Sequence, residues 1–232
     1  MTYNIHHGEG MDGRVDLLRI SEVIKREGAD IVALQEVDKG VERTAKRDSP
    51  AELAELTGMT CIFSNNFHFQ GGEYGNAVLT RFPVIRSANT HYRMLRPGEQ
   101  RGLLQLTLDV RGHELLFLAT HIDYRPDDSE RTLNVGEIRE AVRQQPGRPT
   151  MVCGDFNDVP SSRTHALMKE AFNDSWELAG QGDGFTFSAT RPNKRIDYIW
   201  ISKEPAIAAV RLWVPQTDAS DHLPLAGEFQ LR

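Results

Sequence analysis

The stretch Thr150-Met-Val-Cys-Gly-Asp-Phe-Asn-Asp158 is a short apolar run that stops at a glycine and at once presents Asp155 and Asn157. Apolar residues bounded by Gly read as a buried strand whose end carries polar groups into a loop. In extended chain, residues two apart point to the same side, so Asp155 and Asn157 face one pocket together. The plainer alternative is an Asx turn in which both side chains bond local backbone, and for Gly-Asp-x-Asn alone it is the better reading. The rest of the chain decides between them.

Upstream, Thr2 to Ile5 reads as a strand leading into His6-His7-Gly8-Glu9-Gly10, then a helix with Leu17, Ile20, Val23 and Ile24 on one face and Gly28 as its stop. Asp30 to Val37 is a second strand that delivers Glu36 at its far end. If the two strands are parallel, Asn4 and Glu36 leave from one sheet edge, where open α/β sheets place their ligands. Ser49-Pro50-Ala51-Glu52 has the form of a capping box with proline at the first helical position. A strand around Cys61 to Phe63 leads to a glycine-rich, aromatic loop from Phe67 to Gly75, then a strand from Asn76 to Thr80 and a short extension at Val84-Ile85. Asn89 to Arg101 is a polar, basic connection at the surface.

Leu104, Leu106, Leu108 and Val110 alternate with polar residues and pair, across a turn at Gly112, with a strand ending at His121. Ser129 to Gln145 is helical, with Leu133, Ile138 and Val142 as core positions. A short helix follows near His165 to Phe172, and Phe185 to Phe187, Ile196 to Ile201, Ala206 to Val214 and Leu225 to Leu231 are strand-like. Hairpins and crossovers both occur, with no repeat or linker, so residues 1–232 form one α/β domain with two packed sheets.

The chain has 232 residues, 39% apolar and 26% charged, which suits a soluble globular domain. No apolar run approaches the roughly 20 residues of a membrane-spanning helix. A net charge of -6 argues against a broad nucleic-acid surface. Cys61 and Cys153 are isolated and form neither a disulfide framework nor a metal pair. With no signal peptide the default location is cytoplasmic, while the β-prone run directly after Met1 leaves secretion or a periplasmic place open if a leader precedes it. The sequence carries no signal for an oligomeric state.

Asn4, Glu36, His121, Asp155, Asn157 and Asp197 all stand at or just past strand ends, and Asp221-His222 lies in the loop before the last strand. Each has a local structural explanation, but gathering Glu36, Asp155 and Asp221 without a cation is costly, which implies a bound divalent metal. Hard oxygen donors favour Mg²⁺ or Mn²⁺ over zinc. Such ions serve phosphoester hydrolysis, and histidines paired with carboxylates add acid and base capacity.

Asn4, Leu34-Gln-Glu-Val37, Thr120-His121, Gly154-Asp-Phe-Asn157, Arg195-Ile-Asp-Tyr198 and Ser220-Asp-His222 occur in the order of the endonuclease/exonuclease/phosphatase superfamily, which the chain resembles from residue 4 to residue 224. The resemblance implies a four-layer sandwich, two mixed β-sheets flanked by helices, of the deoxyribonuclease I-like kind. It also implies Asn4, Glu36 and Asp221 as metal ligands, with Asp155 and Asn157 orienting water and phosphate. Asp197 would hold His222, and His121 would contact phosphate oxygens. The base is left open between Asp155, the Asp197/His222 pair and solvent activated by the metal. Asn76, Arg101 and His7 are further phosphate contacts on this reading, and Arg43 and Arg131 are additional phosphate candidates for which a structural or solvent-facing role is the better reading.

After Glu36-Val37 the chain has Asp38, where the deoxyribonuclease-like branch carries an arginine that engages DNA. A carboxylate there repels a DNA backbone. The expected activity is therefore a metal-dependent phosphodiesterase or phosphatase acting on a small or lipid-derived phosphoester. The alternatives are a nuclease, supported by the basic run Arg93 to Arg101, and a non-catalytic binding protein that keeps the fold.

Overall fold

The computed structural model describes residues 1–204 and 206–232. Strand β1 (Thr2–Asn4) runs parallel to β2 (Ile31–Lys39), joined by helix α1 (Leu17–Arg26). Asp16 caps α1 by accepting from the Leu18 N–H, and Gly28 follows it at φ 64°. Helix α2 (Ser49–Thr57) then leads into β3 (Thr60–Phe69) and β4 (Gly72–Thr80), giving the order β1-β2-β4-β3. A second sheet holds β5 (Val84–His91), β6 (Gly102–Val110), β7 (His113–His121), β8 (Thr150–Asp155), β9 (Phe172–Asp174) and β10 (Asp197–Ser202), ordered β5-β6-β7-β8-β10-β9.

Helices α3 (Ser129–Arg143), α4 (Arg163–Ala171) and α5 (Ser175–Ala179) accompany the second sheet, and β11 (Ile207–Trp213) pairs with β12 (Ala226–Leu231). Two hydrogen bonds between Thr2 and Leu225, of 2.9 and 3.0 Å, carry the β11-β12 hairpin onto the free edge of β1. The β11-β12 pair thus remains a small sheet of its own, bridged to the edge of the β1-β2-β4-β3 sheet at this one position.

Strand alternation builds three apolar layers. Val32 and Leu34 of β2 pack under α1 and α2 with Ile20, Ile24 and Leu53, while Ala33 turns the other way. Between the sheets lie Val78, Leu104, Leu106, Phe117, Cys153 and Ile199. The far layer joins Leu116, Leu118, Val152 and Trp200 to Ile138 of α3 and Met168 of α4. This is the four-layer α/β sandwich expected from the sequence. Among the described residues, no helix is long and apolar enough to cross a membrane.

Several local expectations are corrected. The cap of α2 is Asp48, which accepts from the Ala51 N–H, and Glu52 pairs with Arg47, so Ser49 sits inside the first turn. The aromatic loop is a hairpin: Gln70 and Gly71 both take positive φ, 42° and 77°, and turn β3 into β4 in two residues. The extension at Val84-Ile85 continues to His91 on the edge of the second sheet. Phe185 to Phe187 forms no strand and contributes only single bridges from Phe187 to Lys194 and His222. In α3 the buried residues are Glu130, Arg131, Asn134, Val135 and Ile138. The buried face turns because Arg131 reaches Asp158 at 2.9 Å and Asn134 accepts the Asp123 N–H at 3.3 Å, pinning the loops after β7 and β8.

Candidate active site

Sheet register assembles the centre of the site. His121 on β7 is the parallel partner of Asp155 on β8, and Asp155 is the antiparallel partner of Asp197 on β10. Residues at one register position on adjacent strands share a face of the sheet, so these three end strands side by side with their polar groups together. Gly154 lets the strands close up, since a Cβ there would overlap the Thr120 carbonyl. The facing sheet brings Asn4 from the end of β1 and Glu36 from a bulge between Leu34 and Val37. Glu36 sits at φ 59° and Asn157 at φ 48°. Left-handed backbone is uncommon for Glu, and such positions concentrate at functional sites.

The side chains form one network. The Asn4 amide donates to Glu36 Oε1 at 2.9 Å and to Asp155 Oδ2 at 3.0 Å, while its Oδ1 accepts the His6 N–H at 3.1 Å. In this geometry Asn4 presents N–H donors to the site and joins the two carboxylates. His222 Nδ1 lies 2.9 Å from Asp197 Oδ2, and its Nε2 lies 3.7 Å from Asp155 Oδ2. Burial alone opposes charge on His222, but the adjoining Asp197 carboxylate and its hydrogen bond, with Asp155 beyond, lift the imidazole to about 10. Burial and the Asp197 charge push Asp155 up to about 7. A proton on His222 between two carboxylates is thus favoured near neutrality.

His121 is held in the opposite state. Burial, then the charges of Arg101 and His222, keep it well below the ordinary imidazole range. Arg101 Nη1 is 2.7 Å from His121 Nδ1, and a guanidinium only donates, so Nδ1 accepts and the proton is on Nε2. That Nε2 lies 3.4 Å from Asp155 Oδ2 and 2.9 Å from the Asn157 amide nitrogen, which donates to the Ile122 carbonyl at 3.1 Å. Two N–H groups cannot bond one another, so with the proton on Nε2 that group faces Asp155 while the Asn157 amide is held by the Ile122 carbonyl.

A pocket of about 280 Å³ joins Glu36, Arg101, His121, Asp155, Asn157 and His222 to Arg43, Phe67, Phe69, Tyr74, Glu99 and Tyr124. His7 is buried, and its ring lies close enough to Glu36 to share a ligand with His6. Asn76 is buried with its amide on the Gly102 carbonyl at 3.2 Å, and it does not line the pocket. Asp221 is partly exposed beside His222 and belongs neither to the His6, His7 and Glu36 group of converging ligand atoms nor to the Asp155, Asp197 and His222 group. Asp197 Oδ1 is buried without a hydrogen-bond partner, and Asn4 is the single protein donor to Glu36 among the described residues. Buried or half-buried anionic oxygens with so few donors fit a hard divalent cation. The third such group, His165, Asp174 and Glu177, is accounted for by pairing: Asp174 accepts from His165, Arg195 and the Trp176 N–H.

Asp38 overturns one argument from sequence. It is fully buried and bound in two-pronged fashion by Arg43, Nε to Oδ2 at 2.7 Å and Nη2 to Oδ1 at 2.8 Å, so no carboxylate faces a substrate there. Arg43, a phosphate candidate for which the sequence favours a structural or solvent-facing role, lines the pocket. The signal available in sequence was the Asp38 to Arg43 spacing beside the aromatic residues Phe67 and Phe69. Arg131, by contrast, is the structural residue expected, buried against Asp158. The basic run is also largely neutralised: Arg96 pairs with Asp127 and Glu130, and Arg101 turns inward to His121 and Glu99.

Comparison with known proteins agrees with this architecture. The chain is 28% identical to the uncharacterized protein YbhP of Escherichia coli (strain K12), over all of this chain and 95% of that one. In structure it is similar to a mannosyl-6-phosphatase of Bacteroides thetaiotaomicron (TM-score 0.83, 19% identity, 99% of this chain and 98% of that one). It is also similar to the catalytic domain of human Nocturnin with bound sulfate (TM-score 0.79, 21% identity, 99% and 93%). The model of the Endonuclease/Exonuclease/phosphatase family matches residues 1–222, a span that takes in both sheets and every strand end of the site, and the chain belongs to that family.

Proposed function

We propose that the chain is a phosphoester hydrolase dependent on Mg²⁺ or Mn²⁺, acting on a small phosphoester by in-line attack of water. The observation that carries this reading is the convergence of Glu36, Asp155, His121 and His222 on one small pocket, with the buried Asp197 carboxylate behind His222. Glu36 would hold the cation, with Asp221 and the neighbouring His7 as further candidates. When bound, the ion supplies Lewis-acid charge to the phosphate and the leaving oxygen.

The chain's own groups divide the remaining work. Asp155, pushed up to about 7, suits a base that takes a proton from the attacking water at neutral pH. His222, protonated and held by Asp197, would present Nε2–H to a phosphate oxygen. His121 Nε2–H, the Asn157 amide and Arg101 behind them would neutralise charge gathering on the phosphate. Asn4 keeps Glu36 and Asp155 in fixed relation.

The test is a phosphomonoester and phosphodiester panel with Mg²⁺, Mn²⁺ or chelator, run beside Glu36→Gln. We expect hydrolysis that needs a divalent ion and a fall in kcat of about 10²-fold or more in the variant. Full activity of Glu36→Gln would remove Glu36 from the metal site. Nucleic-acid cleavage is the second reading: the masking of Asp38 by Arg43 removes an objection to it, whereas the pairing of Arg96 with acids of the 127–130 region removes part of its support.

A further inference from the structure

We propose that Arg43 forms a second anion subsite, so that the preferred substrate is a small phosphoester whose alcohol portion carries another anionic group, a phosphate or a carboxylate. This rests on the hydrolase reading of the same pocket and adds to it the class of substrate.

Arg43 is held as a fixed plane. Asp38 takes Nε and Nη2, leaving Nη1 without a protein partner among the described residues. The guanidinium lies over the ring of Phe69, 4.9 Å from its centroid, and over Tyr74 at 5.5 Å. Those rings are fixed in turn, with Phe67 edge-on to Tyr74 at 5.1 Å. The turn carrying Arg43 is tied to the hairpin tip, since the Arg43 N–H donates to Gln70 Oε1 at 3.1 Å and the Glu42 N–H to the Gln70 carbonyl at 3.2 Å. Gly72 allows this approach, as a Cβ there would overlap the backbone of Gly40 and Val41.

An arginine that merely faced solvent would be neither stacked nor held by an ion pair. This one is pre-oriented and stacked, and it opens a free edge into the reacting pocket, the arrangement suited to two-point recognition of an anion. The lining of the pocket that holds Glu36 then includes three cationic groups, Arg101 and His222 of the reacting centre and Arg43. A substrate with only one anionic group leaves the Arg43 edge without a partner. The volume of about 280 Å³ and the net charge of -6 favour a small molecule over a polynucleotide.

The experiment measures kcat/KM with excess Mg²⁺ for glucose 6-phosphate against glucose 1,6-bisphosphate, and for glycerol 3-phosphate against glycerate 3-phosphate, which separates a second phosphate from a carboxylate. A short single-stranded oligonucleotide is the third arm. Because Arg43→Gln alone would strand a buried Asp38 charge, the main variant is Asp38→Asn/Arg43→Gln, with Arg96→Gln as a control and circular dichroism melts to verify folding.

We expect the wild type to prefer the member with two anionic groups, the double variant to lose roughly 10–100-fold of that preference through KM, and Arg96→Gln to keep it. Equal losses on substrates with one and with two anionic groups, or no preference in the wild type, would overturn the subsite. Faster, Arg43-dependent cleavage of the oligonucleotide would overturn the small-molecule class. If the wild type hydrolyses nothing, the hydrolase reading fails by itself, and calorimetric binding of the same ligands decides the subsite. A preference lost in the double variant upholds it, and equal binding overturns it.

Discussion

At the scale of single residues, the site works by forcing like groups into unlike states. His121 and His222 lie on either side of Asp155, yet Arg101 and burial keep one neutral while Asp197 and Asp155 keep the other charged. The proposed roles need Asp155 deprotonated and His222 protonated. Activity should therefore rise as pH climbs through about 7, where Asp155 loses its proton, and fall through about 10, where His222 loses its own. Asp197→Asn removes the charge that lifts His222, so its alkaline limb should move to lower pH, while Asp155→Asn should lower kcat by about 10²-fold or more. A pH-rate profile of kcat/KM for each variant measures this, and an unmoved alkaline limb in Asp197→Asn would rule out the His222 assignment. The types and positions of these residues were legible in sequence. Their protonation was not, because it depends on distances between strands that are far apart in the chain. Asp38 makes the same point more sharply: its identity suggested repulsion of substrate anions, and its partner Arg43 reverses the sign of the charge that the pocket presents.

At the scale of elements, the site depends on how closely β7, β8 and β10 approach. The row Thr120↔Gly154↔Tyr198 lies one position before the row His121↔Asp155↔Asp197. Gly154→Ala must push β8 away from the Thr120 carbonyl, and Asp155 moves with it. We expect a loss of about 1–3 kcal/mol in stability from overpacking together with a fall in kcat larger than the change in KM, read by urea denaturation and steady-state kinetics. Unchanged kinetics in a folded Gly154→Ala protein would separate strand spacing from catalysis. Most strands and the first four helices were readable from periodicity and stop signals. The failures have local causes: the cap of α2 shifted to Asp48, and Gln70-Gly71 closed as a two-residue hairpin turn where Gly-rich aromatic sequence suggested a loop. In α3, polar anchors to Asp158 and Asp123 outweighed the apolar pattern in choosing the buried face.

At the scale of the whole molecule, two sheets stack so that the ends of β1, β2, β7, β8 and β10 open on one edge. Carboxylates brought together there by the fold repel one another, so a cation that binds only the folded chain should stabilise it. At about 100 times its dissociation constant the gain is about 2.7 kcal/mol, which for a chain of this size is a rise in Tm of roughly 5–10 °C. Differential scanning calorimetry with Mg²⁺, Mn²⁺ and chelator measures it; we expect Glu36→Gln to lose most of the rise, and an identical shift in that variant would place the cation elsewhere. The sequence by itself determined the α/β class, the order of the motifs and the identity of the polar groups at the strand ends, because alternation, glycine stops and residue chemistry are local properties. Only the tertiary structure decided which of those groups meet, since strand register sets His121, Asp155 and Asp197 in one row and pairing with Arg43 takes Asp38 out of the pocket. Contacts between residues distant in the chain are fixed by packing and register, and no local pattern encodes them.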